Sequence, residues 1–149
     1  MEGMLKISEA ANLAIHAMVY MLRAGDSSNV SVAEIAEALA VSKDHLGKVL
    51  QRLTRMGLVS SKRGPRGGFM LSREPAAVTL LEVIEAVDGP LPRSTCLLGR
   101  PICGESGCIL GSLMHDIQRQ VTDYLSSTTL GDMRGAPLGQ RGKGKARRR

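Results

Sequence analysis

The apolar positions in the first third of the chain fall into helical patterns separated by turn signals. The segment from Leu5 to Arg23 is almost continuously apolar and rich in alanine, which predicts a largely buried helix closed by Gly25. Ser31 followed by Glu34 is a capping box, because the two side chains accept each other's backbone N–H groups at a helix start. Ser42 is a typical N-cap for a further helix after a short turn.

The helix after Ser42 is predicted to have one apolar and one basic side. Apolar residues recur at spacings of three and four from Leu46 to Met56, and the other side carries polar and charged residues. Such a pattern predicts a core face and an exposed face. After Gly57, the alternating residues 58–61, the Gly-Pro turn at 64–68 and the mostly apolar residues 69–72 predict a two-stranded hairpin.

The pattern resumes after the hairpin. Thr79 and Glu82 form a second capping box, and the helix that starts there is stopped by Gly89. The segment from Cys96 to Cys108 is rich in glycine and has no periodicity, so we interpret it as a loop.

A long final helix is predicted from Ile109 to Ser127. Its apolar residues step by four and three residues, forming a heptad-like seam that can pack on another helix. The seam consists of Leu110, Met114, Ile117, Val121 and Tyr124. The residues after Gly131 are rich in glycine and arginine and are expected to be disordered.

These elements in this order predict a mainly α protein with a winged helix-turn-helix, a two-stranded β wing and a long C-terminal helix. We assign residues 1–75 to a DNA-binding domain and residues 76–133 to the cysteine loop and the C-terminal helix. Residues 134–149 form a disordered basic tail in this interpretation.

Composition agrees with a helical protein. At 149 residues the chain suffices for one domain plus an appendage. Hydrophobic residues make up 43% but aromatic residues only 2%, so the core must be aliphatic, which favours helices. The chain has no long apolar run and no signal peptide pattern, so we expect a cytoplasmic protein without a membrane partner.

The positive charge is concentrated in one part of the folded chain. Residues 42–73 carry eight bases against the single acid Asp44, whereas the rest of the chain before Arg134 is net negative. A local basic segment in an otherwise acidic body is typical of a protein that binds a polyanion. The basic residues from Arg134 onward are given no role in specificity.

Charge and fold together predict binding to double-stranded DNA. A helix with a basic face fits the major groove, and an arginine at the hairpin tip can enter the minor groove. The predicted contacts are Ser42, Lys43, Asp44, Lys48, Gln51 and Arg52 on the helix, and Arg63 and Arg66 on the wing.

Three cysteines form the second candidate site. Cys96, Cys103 and Cys108 are separated by gaps of six and four residues, and three thiolates suit an iron–sulfur cluster or zinc. A closed zinc site fits poorly, because no Cys-x2-Cys pair and no nearby fourth Cys or His is present. Three plain thiols in a loop, or a thiol-disulfide switch without metal, remain alternatives.

The sequence offers no enzyme site. We find no pairing of a nucleophile with a base and no phosphate-binding glycine loop after a strand, and the three histidines are scattered.

The chain resembles the Rrf2 family of bacterial transcription regulators over nearly its whole length, to about Met133. The resemblance is carried by the opening helix and by three short motifs. These pieces are residues 7–22, 44–53, 63–69 and 80–89. The resemblance implies a homodimer crossed through a long C-terminal dimerisation helix and a palindromic operator. It also implies, as in many members, a cluster on three cysteines at this place, for which 2Fe-2S is favoured over 4Fe-4S.

The chain departs from the family pattern around the cluster. The iron–sulfur members have equal gaps between their cysteines, whereas the gaps are unequal here. Gly111 stands where one member has a histidine ligand, and Asn12 stands where others have an acidic ligand from the first helix. Glu9, Asn12 and His16 are therefore the candidates for a fourth ligand, which the partner subunit could supply.

The sequence thus predicts a transcriptional regulator, of the repressor type, that senses iron–sulfur, redox or nitric oxide status through a cluster on three cysteines. The alternative is a cluster-free regulator controlled by a thiol switch or by a metabolic enzyme partner.

Overall fold

The computed structural model describes residues 7–25, 27–92, 96, 98, 102–104 and 107–136. Within these residues the chain forms helices α1 (Glu9–Ala24), α2 (Val32–Leu39) and α3 (Lys43–Arg55), strands β1 (Val59–Lys62) and β2 (Gly68–Leu71), and helices α4 (Leu80–Asp88) and α5 (Leu113–Ser127). Short 3₁₀ segments lie at Pro75–Ala77 and Gly131–Gly135. This order confirms the predicted mainly α fold with a helix-turn-helix followed by a two-stranded wing.

Three helices begin where their N-cap residues predict. The Ser31 hydroxyl accepts the N–H of Glu34, whose carboxylate accepts the N–H of Ser31 at 2.7 Å. Thr79 and Glu82 form the same reciprocal pair at the start of α4. Ser42 caps α3 through its side chain. These starts are encoded locally, because each cap satisfies an N–H that has no partner within the helix.

The wing is attached to the loop between α1 and α2. Strands β1 and β2 are antiparallel, with Val59 opposite Leu71. Val30 exchanges two backbone hydrogen bonds with Phe69, at 2.9 and 2.8 Å. The close approach requires glycine at position 68, where a Cβ atom would lie 2.6 Å from the carbonyl oxygen of Val30.

The core is built around α1, which packs against α3 and α4. The side chains that fill it are aliphatic or methionine, as the composition predicts. Fully buried members are Met18, Met21, Leu22, Leu46, Leu50, Leu53, Val83 and Ile84. This packing fixes the position of α3 relative to α4, because densely packed interiors resist displacement.

Helix α1 starts later than predicted, at Glu9 and not at Leu5. Ser8 has extended backbone geometry and its hydroxyl accepts the N–H of Ala11 at 3.0 Å. It therefore acts as the N-cap, and Ile7 lies before the helix. Residue 5 lies outside the described residues.

Helix α5 also starts later than predicted, at Leu113 and not at Ile109. Gly111 adopts a positive φ of 59°, and its N–H donates to the carbonyl of Cys108 at 2.9 Å. This turn precedes the helix, so Ile109 and Leu110 lie outside it. The observed helix α5 is therefore one turn shorter than the predicted helix.

The predicted seam on the last helix is only partly a packing face. Met114 is buried and Val121 packs against the core, but Tyr124 is 59% exposed and Leu110 is exposed. Leu125, which was not in the predicted seam, is buried instead. The helix therefore turns Met114, Val121 and Leu125 inward, and leaves Tyr124 on the surface.

The prediction of disorder after Gly131 is wrong for the residues up to Gly135. Leu130 is fully buried, and its N–H donates to the carbonyl of Val78 at 2.9 Å. The carboxylate of Asp132 accepts the N–H of Thr129 at 2.8 Å. These contacts stabilise the 3₁₀ segment, and the rest of the predicted tail, from residue 137, lies outside the described residues.

No helix in the described ranges is both long enough and apolar enough to cross a membrane.

Candidate nucleic-acid interface

The turn between α2 and α3 is held by backbone hydrogen bonds. Ala40 is left-handed, with φ 55°, and its N–H donates to the carbonyl of Glu37 at 3.2 Å. The N–H of Val41 donates to the carbonyl of Ala36 at 3.0 Å. Together with the Ser42 cap, these bonds connect α2 to α3 through a short, well-defined turn. Such a unit can present the second helix to a DNA groove.

Helix α3 has the two faces that the sequence predicts. Leu46, Val49, Leu50 and Leu53 are buried in the core. All six residues of the predicted helix contact set are exposed. They are Ser42, Lys43, Asp44, Lys48, Gln51 and Arg52. The polar face is therefore accessible to a macromolecule.

The turn of the wing projects two arginines. Arg63 directly precedes the turn, Arg66 lies within it, and both are exposed. The N–H of Gly67 donates to the carbonyl of Gly64 at 2.9 Å, and a Cβ atom on Gly67 would lie 2.1 Å from the carbonyl oxygen of Lys62. Glycine is thus required at position 67 to close the turn.

Most of the basic residues between 42 and 73 have no carboxylate partner within the described ranges. None of six exposed bases takes part in an ion pair with the residues that the structure describes. These are Lys43, Lys48, Arg55, Lys62, Arg63 and Arg66. We call this set the basic surface. Uncompensated cations on a helix-turn-helix and its wing produce a local positive field that attracts phosphate groups.

The two other bases of the same segment form hydrogen bonds within the protein. Arg73 donates to the carboxylate of Glu82 and to the carbonyl of Ala77, both at 2.9 Å. Arg52 donates through Nη1 to the carbonyl of Val87, at the end of α4, at 3.1 Å. Sequence reasoning missed this bond, because an acceptor carbonyl 35 residues away leaves no signal in the sequence.

Hydrogen bonding lowers the pKa of Glu82 below its ordinary value of 4.5. The largest cause is the N–H of Thr79, followed by the side chain of Arg73. Both donors favour the ionised carboxylate. The first turn of α4 is therefore stabilised by a charged residue that also holds the segment after the wing.

The three predicted cysteines lie in the segment between α4 and α5. Cys96 and Cys103 are half-buried, and Cys108 is exposed, with its Sγ accepting the N–H of Leu110 at 3.4 Å. As a donor set, three thiols fit an iron–sulfur cluster. In the part of the chain that the structure describes, however, no three His, Cys, Asp or Glu side chains are placed to hold one metal ion. The donor chemistry of the three thiols nevertheless fits such a cluster.

The three candidates for a fourth ligand lie together on α1. Glu9, Asn12 and His16 line a shallow groove of about 180 Å³, closed on the other side by Leu39 and Val41. The Nδ1 of His16 donates to the carbonyl of Asn12 at 2.8 Å. In a neutral ring this leaves Nε2 as the nitrogen with a lone pair. The structure places these residues near the α2–α3 turn.

Several large apolar side chains are exposed close to the cysteines and on α5. Ile109 is 87% exposed and Tyr124 is 59% exposed. Ile102, Leu110 and Leu113 are also exposed. Exposed apolar residues in this density are typical of a surface that another chain covers.

Comparisons with known proteins identify relatives along nearly the whole chain. A family model described as "Rrf2: Iron-dependent Transcriptional regulator" matches residues 7–135. The HTH-type transcriptional regulator IscR of Klebsiella pneumoniae (strain 342) is 31% identical over 130 residues, which cover 87% of this chain and 79% of that protein. IscR of Escherichia coli (strain K12 / DH10B) is also 31% identical and is covered to 80%.

Solved structures show the same similarity. CymR (YrzC), the global cysteine regulator of B. subtilis, has a TM-score of 0.75 at 29% identity, with 88% of this chain and 97% of that chain covered. T. potens IscR has a TM-score of 0.68 at 27% identity, with 87% and 85% covered.

Proposed function

Because the chain belongs to the Rrf2 family of transcription regulators, we propose that it is a repressor whose operator affinity depends on an iron–sulfur cluster held by Cys96, Cys103 and Cys108. The relatives are transcriptional regulators and not enzymes, and DNA is the partner of a regulator of this type. One observation carries the proposal: the three thiols occupy the segment that joins α4, which packs on α3, to α5.

The DNA-binding part of the proposal uses the basic surface. The exposed face of α3 enters the major groove, with Ser42 and Lys43 at its start and Lys48 and Gln51 further along. Asp44, also exposed there, can accept from a base amino group. Arg63 and Arg66 of the wing approach the adjacent minor groove, where the potential is more negative. Arg52, the remaining predicted contact, is bonded to α4.

The operator-binding form is a homodimer in this proposal. The support is the exposed apolar surface that includes Ile109, Leu113 and Tyr124. In this proposal a second copy covers this surface, the dimer presents its two α3 helices to DNA, and two-fold symmetry then requires a palindromic operator. Residues 76–133 are thus assigned to sensing and dimerisation.

The three cysteines differ in exposure and would hold different sides of the cluster. Cys96 and Cys103, both half-buried, anchor it against the protein, and exposed Cys108 holds the side open to solvent. We favour a 2Fe-2S cluster whose fourth ligand is Glu9, Asn12 or His16 of the other subunit. When bound, such a cluster supplies a redox centre that oxidants can destroy. Because the described residues hold no assembled ligand set, we expect cluster binding to reorganise the segment between α4 and α5.

Anaerobic purification tests the cluster directly. Iron and sulfide content and the visible spectrum are measured before and after reconstitution, and operator binding is measured in both states. The wild type and a Ser112→Ala control, whose hydroxyl makes no capping bond, should carry iron and sulfide. Cys103→Ser should lose both. A colourless, iron-free wild type after reconstitution would remove the cluster from the function.

A cluster-free regulator is the second candidate. It is favoured by the similarity to CymR, a cysteine regulator. In its thiol-switch form, a peroxide oxidises two thiols to a disulfide and is itself reduced, so operator affinity changes in iron-free protein. In its other form a metabolic enzyme is the partner. Recovery of such an enzyme in a pull-down, with operator binding insensitive to Cys→Ser changes, supports that form.

A further inference from the structure

The last turn of α4 is held by side chains from two other helices. Arg52 of α3 donates to the carbonyl of Val87 at 3.1 Å. The backbone N–H of Ser8, at the start of α1, donates to the carboxylate of Asp88 at 2.8 Å, and the Ser8 hydroxyl donates to the same carboxylate. A guanidinium at a helix C-terminus is favourable, because the last carbonyls lack partners within the helix and carry partial negative charge.

The same turn leads directly into the cysteine segment. Gly89 ends α4 with a positive φ of 80°, and Pro90, Leu91 and Pro92 follow. The Pro92 carbonyl accepts a hydrogen bond from Gln118 of α5. The two prolines limit the backbone freedom of this connection. Within the described residues, Val87 is therefore joined to Pro92, the residue bonded to α5, by a connection of four residues, 88–91, one of which is a proline.

We propose that Arg52 is a positioning residue that couples the cysteine segment to the DNA-reading face of α3. Its bond to Val87 links the end of α4 to the helix that carries Lys48, one turn earlier on α3. When the cysteine segment reorganises, the Val87 carbonyl moves and the orientation of α3 changes with it. This inference rests on the proposed function, since it assumes that α3 reads DNA and that the cysteine segment has two states.

The role differs measurably from that of a phosphate contact. A base that neutralises a phosphate adds to the salt dependence of binding. A positioning residue instead sets the difference in operator affinity between the two states of the cysteine segment. The coupling is reciprocal: the free energy by which the state of the cysteine segment changes operator binding equals the free energy by which operator binding changes that state. Operator binding must therefore also affect the end of α4.

The test compares Arg52→Gln with Arg52→Lys and with Arg55→Gln. Arg55 lies on the same helix and loses the same charge, but it makes no bond to α4. Operator dissociation constants are measured over a salt series for reduced iron-free protein and for cluster-loaded protein. We expect Arg52→Gln to keep the wild-type salt slope and to bring the ratio of the two affinities close to one. Arg52→Lys should restore part of the ratio, and Arg55→Gln should keep it in full.

A second readout needs no cluster. Amide hydrogen exchange at residues 88–91 is followed in iron-free protein with and without operator DNA. Binding should slow exchange in the wild type and in Arg55→Gln, but not in Arg52→Gln. Two results overturn the inference while leaving the proposed function intact. One is a shallower salt slope with an unchanged affinity ratio in Arg52→Gln, and the other is an equal exchange response in the wild type, Arg52→Gln and Arg55→Gln. A wild type that fails to bind DNA at low salt overturns both.

Discussion

Removal of Lys48 should weaken the salt dependence of operator binding by a predictable amount. Lys48 is exposed near the middle of the polar face of α3 and has no carboxylate partner among the described residues. In a DNA-bound dimer the substitution Lys48→Gln removes two cations, one from each copy. The side chain keeps a similar length and polarity, so the core face of α3, formed by Leu46 and Val49 on either side of it, is undisturbed.

The expected size follows from counterion release. Each phosphate neutralised on duplex DNA contributes about 0.9 to the slope of log K against log salt, so the loss of two contacts lowers the slope by about 1.8. Between about 50 mM and about 200 mM salt, the variant should therefore lose about 12-fold less affinity than the wild type.

The assay is operator binding by fluorescence anisotropy over a salt series, with two controls. Lys48→Arg keeps the charge and should keep the slope. Arg119→Gln removes a base from α5, where Arg119 pairs with Asp116 at 3.1 Å, and should also leave the slope unchanged. If Lys48→Gln has the wild-type slope, the exposed face of α3 does not lie against the DNA backbone at this position.

Three further substitutions test the local structure that supports the site. Thr79→Ala removes the hydroxyl that accepts the N–H of Glu82 at 3.1 Å, and should lower the free energy of unfolding by about 1 kcal/mol in a urea titration. The lowered pKa of Glu82 means that its ionised form stabilises the fold above the ordinary carboxyl range. This stability is lost as the pH falls through the lowered pKa of the folded state, so the difference between the wild type and Glu82→Gln should shrink on acidification. Gly67→Ala places a methyl group 2.1 Å from the carbonyl oxygen of Lys62, and should reduce operator affinity without loss of helical circular dichroism.

The matched controls separate these effects from general destabilisation. Thr79→Ser keeps an accepting hydroxyl and should unfold at nearly the wild-type urea concentration. Gly135→Ala adds a methyl group with no neighbour within 4 Å, so operator affinity should not change. Three results would contradict the corresponding structural reasoning. They are equal urea unfolding of Thr79→Ala and the wild type, a pH-independent effect of Glu82→Gln on stability, and full operator affinity in Gly67→Ala.

The features that the sequence predicts well are those whose physical cause is local. The capping boxes of Ser31 and Thr79 involve residues three positions apart, so the interacting groups are visible in a short window. The two faces of α3 follow from the helical period alone. The wing turn follows from glycine and proline, whose backbone preferences do not depend on the rest of the fold.

The features that the sequence does not predict depend on contacts between distant segments. The Ser8–Asp88 bond joins residues 80 positions apart, so no short window of the sequence contains both partners. The N–H of Leu130 donates to the carbonyl of Val78. This bond holds the start of the 3₁₀ segment Gly131–Gly135, whose composition alone indicates disorder. The late start of α5 is local in origin, since Gly111 is left-handed. It was missed because a single glycine in an apolar run is also compatible with a helix.

The position of the cysteines makes regulation of α3 physically possible, whatever chemistry the thiols undergo. A cluster, a disulfide or a bound partner changes the path of the segment after α4, and that segment is anchored to α5 by Gln118. The anchor is at Pro92, between the end of α4 and Cys96, so a change of path that shifts Pro92 acts on the end of α4 as well as on α5. At the end of α4, Arg52 donates to the carbonyl of Val87 and the N–H of Ser8 donates to the carboxylate of Asp88. These hydrogen bonds yield more easily than the buried contacts of the core. We therefore expect a reorganised cysteine segment to perturb these hydrogen bonds before it disturbs the core.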